Sequence, residues 1–205
     1  AHNALNGTLS RLKQQKIKGL LLHRPHQLLE SDGTAIYSAL RKFKEEGFIE
    51  KIGISVYGPT EALEILAHFD FDIIQIPFNI FDQRILRPPF LQHAKKRNVE
   101  IHIRSIFLQG LLLFEQHELP QKFHRWENIW QDFQEWLSNE GISPLEACVR
   151  SAFSISEIDK IIVGIANSEQ LKQLVNAAQK PSLQIPSHLS SNDVYLINPI
   201  NWSKI

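Results

Sequence analysis

Polar side chains stand at or beside the ends of several short apolar segments of this 205-residue sequence. These residues are His23, Ser55, Gln75, Arg104 and the turn from Gly164 to Asn167. In sheets and barrels of parallel strands, ligands bind where the carboxyl ends of the strands meet. Their position therefore makes these residues candidates for chemistry or ligand binding.

The imidazole of His23 can donate a hydrogen bond to a reacting carbonyl oxygen or exchange a proton with it. The alternative role is that of a loop histidine bonded to backbone groups. His26 completes a His-x-x-His spacing, but Pro25 is incompatible with the helix that would present both rings to zinc. We therefore expect no metal site.

Ser55 and Gln75 together offer donors and acceptors that suit a ligand with an amide group. They would equally suit a pair of buried polar residues that satisfy one another.

Two further segments suit phosphate groups. Arg104 places a fixed positive charge before a glycine-containing loop that ends at Gly110, which would suit a pyrophosphate. Gly164 and Asn167 open a helix whose free backbone N–H groups could bind a phosphate. Asn167 with Gln170 also fits an ordinary capping box, and the local sequence favours that role.

Apolar strand segments alternate with amphipathic helical segments along the chain. We predict strands at Ile17–Leu22, Lys51–Val56, Asp72–Ile76, Val99–Ile103 and Lys160–Val163. Helices are predicted at Ala4–Gln15, from Asp32 or Thr34 to Gly47, from Thr60 as N-cap to His68, at Pro88–Arg97, after Ser143, and at Asn167–Ala177. Nearly continuous apolar strands are typical of a parallel sheet covered by helices.

We expect one α/β domain over residues 1–205, with an insertion at about 106–141 and an extended tail at about 182–205. The insertion holds three of the four tryptophans, for which a small local core is favoured over a ligand cage. No Gly-x-Gly-x-x-Gly follows a strand, which disfavours a dinucleotide-binding open sheet. A complete eight-stranded barrel takes about 250 residues, so five units leave such a barrel three units short.

Composition narrows the classes of partner and compartment. Lys plus Arg and Asp plus Glu both number 22, so no basic field predicts binding to nucleic acid or anionic membrane. Apolar runs fall short of the ~20 residues of a spanning helix. The single cysteine, Cys148, excludes an internal disulfide framework and favours a reducing compartment, so we expect a cytoplasmic protein.

Five segments taken together resemble the aldo-keto reductases, in that family's order and spacing, over roughly Leu9 to Val175. They are Leu20–Pro25, Ile52–Tyr57, Gln75–Asn79 with Gln83-Arg84, Arg104–Gly110, and Ile162–Leu171. The resemblance implies a (β/α)8 TIM-type barrel whose strands here are the fourth through the eighth, with the first three strand units absent. It also implies reduction of an aldehyde or ketone by a nicotinamide cofactor, NADPH with NADH possible.

The resemblance assigns roles to individual residues. His23 corresponds to the family's active-site histidine, and Ser55 and Gln75 correspond to positions that hold the nicotinamide carboxamide. The pyrophosphate loop corresponds to Ser105, Phe107, Gln109 and Gly110, and the adenosine end to Gly164, Asn167 and Gln170.

Departures from the family pattern set further expectations. The family's catalytic Asp, Tyr and Lys come from strand units without a counterpart here, so we expect no turnover from this chain alone. Ser55-Val56 replaces the family's usual Ser-Asn. Arg104 replaces a Tyr that often stacks on the nicotinamide, and Gln170 replaces an Arg that often binds the 2′-phosphate. An open strand edge also predicts self-association.

Two alternatives remain beside the enzyme. One is a cofactor-binding module without catalysis, like non-enzymatic members of the family. The other is an unrelated barrel enzyme that acts on a phosphorylated substrate through the turn at Gly164.

Overall fold

A computed structural model of the chain describes residues 2–205. Its fold is α/β, and the described residues contain five parallel strands that follow one another in sequence order across the sheet. They are β1 (Ile17–Leu22), β2 (Ile49–Ser55), β3 (Ile73–Pro77), β4 (Glu100–Arg104) and β5 (Lys160–Ile162). All five predicted strands are confirmed, with bounds shifted by no more than two residues. Within residues 2–205, every helix is too short or too polar to cross a bilayer.

Six of the helices below follow the sequence pattern, and the two others lie in the insertion and in the C-terminal segment. The helices are α1 (His2–Leu12), α2 (Gly33–Glu45), α3 (Pro59–Leu66), α4 (Phe90–Lys96), α5 (Glu127–Glu140), α6 (Pro144–Ala152), α7 (Ser168–Ala178) and α8 (Val194–Ile197). The prediction of Thr60 as N-cap of α3 was wrong. Gly58 occupies that position because Pro59, which needs no N–H partner at the first helical residue, takes N1.

The chain divides into two compact units, and the first contains the described residues up to Ile76 together with Gln92–His102. In this unit β1 pairs with β2 and β2 with β3, both in parallel. Gly53 lies in the middle of β2, where a Cβ would come within 2.7 Å of the Ile73 carbonyl oxygen and 3.1 Å of Leu21 Cγ. Glycine is therefore required for the three strands to pack at this level, two residues before Ser55.

The second unit contains Pro77–Leu91 and Ile103–Ile205. Its core includes Phe81, Trp130 and Phe133, with the Phe81 ring 4.8 Å from that of Trp130 and 5.6 Å from that of Phe133. Trp136 is buried in the same core. The insertion therefore folds into α5 and short 3-10 turns that bury two of its tryptophans. They lie in the shared core of the second unit beside residues from outside the insertion, such as Phe81, and not in a core of the insertion alone.

The C-terminal segment differs from the expected extended tail. Residues after 182 form 3-10 turns at Ser187–Leu189 and Pro199–Lys204 and the helix α8. Leu189, Leu196 and Ile197 are almost fully buried in the core of the second unit. The expectation of an extended conformation was wrong because it rested on Pro, Ser and Asn content, while these few apolar residues decide the packing.

Candidate functional site

Three of the candidate residues lie at the same level of three neighbouring strands. Ile54 pairs with Leu22 of β1, and Ser55 pairs directly with Gln75 of β3. His23, which follows Leu22, therefore stands one register step beyond the last pair of β1 and β2, beside Ser55. Paired residues of parallel strands point to the same face of a sheet, so Ser55 and Gln75 present their side chains together.

Ser55 and Gln75 are in contact. The Ser55 hydroxyl donates a hydrogen bond to Gln75 Oε1 at 3.3 Å, and the Val56 N–H donates to the Gln75 carbonyl at 2.9 Å. Ser55 is buried and Gln75 half-buried, while His23 is exposed beyond the end of β1. The arrangement holds an amide and a hydroxyl at fixed positions, and these groups match the donors and acceptors of a carboxamide.

The loop after β4 has an unusual backbone. Ser105, Leu108 and Gln109 have φ values of 63°, 47° and 58°, in the left-handed region that residues with a Cβ seldom adopt, and Gly110 has φ of 87°. Arg104 Nη1 donates to the Ser105 hydroxyl at 3.3 Å. Backbone strain of this kind concentrates at ligand-binding positions, where surrounding contacts hold it in place.

A buried asparagine that sequence reasoning did not single out holds this loop. Asn79 Oδ1 accepts hydrogen bonds from the N–H groups of Phe81 at 3.0 Å and Asp82 at 2.9 Å. Its Nδ2 donates to the Ser105 carbonyl at 3.3 Å. The Asn-x-x-Asp sequence after a strand is a signal for such a turn, because asparagine side chains bond to backbone N–H groups two or three residues ahead.

The acidic member of the neighbouring charged pair, Asp82, is buried as well. The Arg84 guanidinium donates to both carboxylate oxygens of Asp82, at 2.7 and 2.8 Å. Gln83 Nε2 donates to the carbonyls of Ile80 at 2.8 Å and Pro186 at 3.1 Å. The turn after β3 therefore also fixes the start of the C-terminal segment.

A cavity of about 430 Å³ in the second unit collects most of the predicted phosphate-binding and adenosine-binding residues. Its lining includes Ser105, Phe107, Gln109, Gly110, Gly164 and Gln170. Its volume falls within the range of about 300–1,000 Å³ that is usual for small-molecule sites. Arg104 and Asn167 adjoin this lining in sequence without being part of it. Sequence reasoning missed Gln173, although it lies about one helical turn after Gln170.

The first turn of α7 forms the cap that its sequence predicts. Asn167 Oδ1 accepts from the Gln170 N–H at 2.9 Å, and Gln170 Oε1 accepts from the Ala166 N–H at 2.8 Å. The capping role is therefore confirmed. The Gln170 side chain still faces the cavity while its oxygen is engaged by the backbone.

The single cysteine takes no part in these groups. Cys148 is buried in α6, and burial raises the pKa of its thiol because the charged thiolate is poorly solvated there. A thiol of this kind is not a nucleophile at neutral pH.

Comparisons with known proteins agree on one family. The model of the aldo/keto reductase family matches residues 1–188, whereas no curated protein matches the chain. An aldo-keto reductase from Bacillus halodurans in its apo form superposes with a TM-score of 0.74 at 19% identity, over 92% of this chain and 64% of that one. Its holo form gives a TM-score of 0.72 at 20% identity, over 91% and 64%. A glycerol dehydrogenase from Gluconobacter oxydans gives 0.65 at 20% identity, over 89% and 59%.

The chain thus spans less than two thirds of the length of these solved structures. Its five parallel strands are consistent with an incomplete (β/α)8 barrel of the same kind. Since the family model covers all of the strands and nearly the whole sequence, the chain belongs to the aldo/keto reductase family.

Proposed function

We propose that this chain is the cofactor-binding portion of an oxidoreductase that reduces an aldehyde or ketone to an alcohol with NADPH or NADH. The observation that carries the proposal is the contact between Ser55 and Gln75 at the level of His23, in a chain that belongs to the aldo/keto reductase family. A catalytic pocket needs fixed polar groups at strand ends, and this pair is fixed by the sheet itself.

The residues present fit a nicotinamide group. The Ser55 hydroxyl and the Gln75 amide both donate and accept, as a carboxamide requires, and burial of Ser55 keeps water from competing for those bonds. When bound, the reduced nicotinamide supplies the hydride. His23 would donate a hydrogen bond to the substrate carbonyl oxygen, which polarises the carbonyl and orients it. Ser105 and Gly110 would bind the pyrophosphate through the loop after β4, where Arg104 adds a positive charge.

We further propose that the proton donor lies outside these residues. The resemblance assigns the family's Asp, Tyr and Lys to the second and third strand regions of the barrel, and those regions would belong to another part of the whole protein. The chain alone would then lack turnover, because His23 by itself does not replace the Tyr and Lys that supply the proton in the family.

The exposed side of β1 supports the proposal of self-association. A groove of about 610 Å³ in the first unit is lined mainly by apolar side chains, including Leu20, Leu22 and Ile36. Within the described residues β1 pairs only with β2, so its other edge offers unpaired backbone groups to a second copy. Analytical ultracentrifugation of the chain between about 1 and 100 μM would show a rising average mass, and a concentration-independent monomer would contradict the proposal.

The substrate would be a small carbonyl compound, and the cytoplasm is the expected location because of the lone cysteine.

The test uses the natural protein that contains this chain. Oxidation of NADPH and NADH is followed at 340 nm with a panel of aldehydes and ketones. We expect His23→Ala to lower kcat/KM by roughly 100-fold or more, the usual size of an acid–base or polarising contribution. His68→Ala, which changes an exposed histidine after α3, is the matched control and should retain activity. Unchanged turnover by the His23 variant would contradict the assigned role.

The same assay on the isolated chain separates the two parts of the proposal. Binding of a dinucleotide without turnover is the expected result. Turnover by a preparation of verified mass 23.6 kDa would overturn the proposal that the proton donor lies elsewhere.

A further inference from the structure

We infer that the adenosine end of the cavity in the second unit selects a dinucleotide with a free 2′-hydroxyl, so that NADH binds more tightly than NADPH. The inference rests on the proposed function, because it presupposes that the cavity holds the adenosine half of the cofactor. It concerns the chemistry of the lining, which is independent of where the nicotinamide and the substrate bind.

The lining of this cavity is uncharged throughout. Its polar side chains are Ser105, Gln109, Gln170 and Gln173, and the remainder are glycine or apolar residues, with Leu174 and Ile162 among them. A ribose diol both donates and accepts hydrogen bonds, which matches the amide groups of glutamine. A 2′-phosphate carries up to two negative charges and needs a cation or several strong donors once it leaves water.

The geometry of α7 explains why its lysine, Lys172, does not bind a 2′-phosphate in the cavity. Gln170, Gln173 and Leu174 lie three and four residues apart and therefore share the helix face that lines the cavity. Lys172 comes two residues after Gln170, about 200° further around the helix, so it projects from another face. Its side chain is 74% exposed, and its ammonium lies 3.9 Å from Glu169.

The other charges near the lining do not favour a 2′-phosphate either. Glu169 sits in the first turn of α7, where its carboxylate offsets the positive end of the helix dipole for any further anion. Arg104 contacts the Ser105 hydroxyl at the start of the loop assigned to the pyrophosphate. Because NADH and NADPH share that pyrophosphate, Arg104 would bind both and would not discriminate between them.

The amide of Gln170 is also partly committed. Its Oε1 accepts from the Ala166 N–H at 2.8 Å, so the side chain cannot turn freely to present its nitrogen to a phosphate. A hydrogen bond to a charged group contributes enough that adding or losing one changes affinity roughly 10- to 100-fold. We therefore expect a preference for NADH of at least about tenfold.

The test measures binding rather than turnover. The 205-residue chain is titrated by calorimetry with NADH, NADPH, ADP-ribose and 2′-phospho-ADP-ribose at about 0.1 M salt. The expected result is tighter binding of both ligands that lack the 2′-phosphate. Equal or tighter binding of NADPH and 2′-phospho-ADP-ribose would overturn the inference and leave the proposed cofactor site intact. Binding of none of the four would overturn both.

Two variants make the test specific to the α7 face. Gln173→Arg places a guanidinium on the cavity face and should shift the ratio of the NADPH and NADH affinities towards NADPH roughly 10-fold or more. Lys172→Gln removes the cation of the other face and should leave the ratio of the two affinities unchanged. Both positions are exposed, so circular dichroism should show unaltered folding. A ratio that shifts with Lys172→Gln but not with Gln173→Arg would overturn the inference.

Discussion

Replacing Asn79 with alanine removes the side chain that connects the turn after β3 to the loop after β4. Asn79 accepts from the N–H groups of Phe81 and Asp82 and donates to the Ser105 carbonyl at 3.3 Å. The side chain is only 2% exposed, so water cannot take over these bonds without opening the structure.

The expected loss follows from these three bonds. A buried backbone N–H that loses its acceptor lowers the free energy of unfolding by about 1–3 kcal/mol. Alanine at position 79 leaves two such N–H groups without an acceptor, those of Phe81 and Asp82. The Ser105 carbonyl also accepts from the Leu108 N–H at 2.9 Å, so it keeps a hydrogen-bond donor after the substitution. Losing the bond from Asn79 to this carbonyl therefore costs less than losing the other two. We expect Asn79→Ala to lower the free energy of unfolding by about 2–6 kcal/mol.

Guanidinium unfolding followed by tryptophan fluorescence reports this change directly. The Phe81 ring lies 4.8 Å from the Trp130 ring, so loss of the turn alters the surroundings of a core tryptophan. Asn128→Ala, an exposed substitution in the first turn of α5, is the control and should stay within about 0.5 kcal/mol of the unsubstituted chain. If the Asn79 and Asn128 variants unfold at the same midpoint, the bonds of Asn79 do not carry the stability assigned to them here.

Three further changes test other parts of the fold. Lys51→Gln removes the main hydrogen bond that lowers the pKa of Glu100, so it should cost about 1 kcal/mol at pH 7. That stabilisation is lost as pH falls through the lowered pKa of Glu100. The difference from the unsubstituted chain in urea unfolding should therefore vanish below that pKa, and a difference that stays constant with pH would argue against the pair. Gly53→Ala forces a Cβ against the Ile73 carbonyl oxygen and should cost about 1–3 kcal/mol in thermal unfolding, whereas an unchanged melting temperature would mean that the strands can move apart. Ser143→Ala removes the side-chain acceptor of the α6 N-cap and should cost about 1 kcal/mol by the same measurement, with Ser143→Asp retaining stability.

Sequence reasoning predicted the strands and what stands at their ends. Apolar runs such as Leu20–Leu22 specify buried strands, and parallel strands bring their carboxyl ends to one edge of a sheet. The contact between Ser55 and Gln75 follows from that rule together with the register of β2 and β3. The cap of α7 was equally predictable, because Asn167 and Gln170 interact only with neighbours in sequence.

What could not be predicted depends on contacts between distant residues. The bond from Gln83 to the Pro186 carbonyl joins positions 103 residues apart, and no local pattern indicates it. The burial of Leu189 and Leu196 likewise depends on a core that is complete only after the chain has folded. The positive φ of Leu108 runs against its residue type, so only tertiary contacts account for it.

The loop after β4 shows why the candidate site is built from such long-range contacts. Left-handed backbone at Ser105, Leu108 and Gln109 costs about 1–3 kcal/mol for each residue, and in an isolated peptide the loop would relax. In the folded chain Asn79 and the neighbouring core hold it, so the loop backbone is already ordered before any ligand arrives. A ligand therefore binds more tightly, because its binding does not have to order the loop. The same reasoning implies that the loss of Asn79 should weaken dinucleotide binding even in conditions where the variant remains folded.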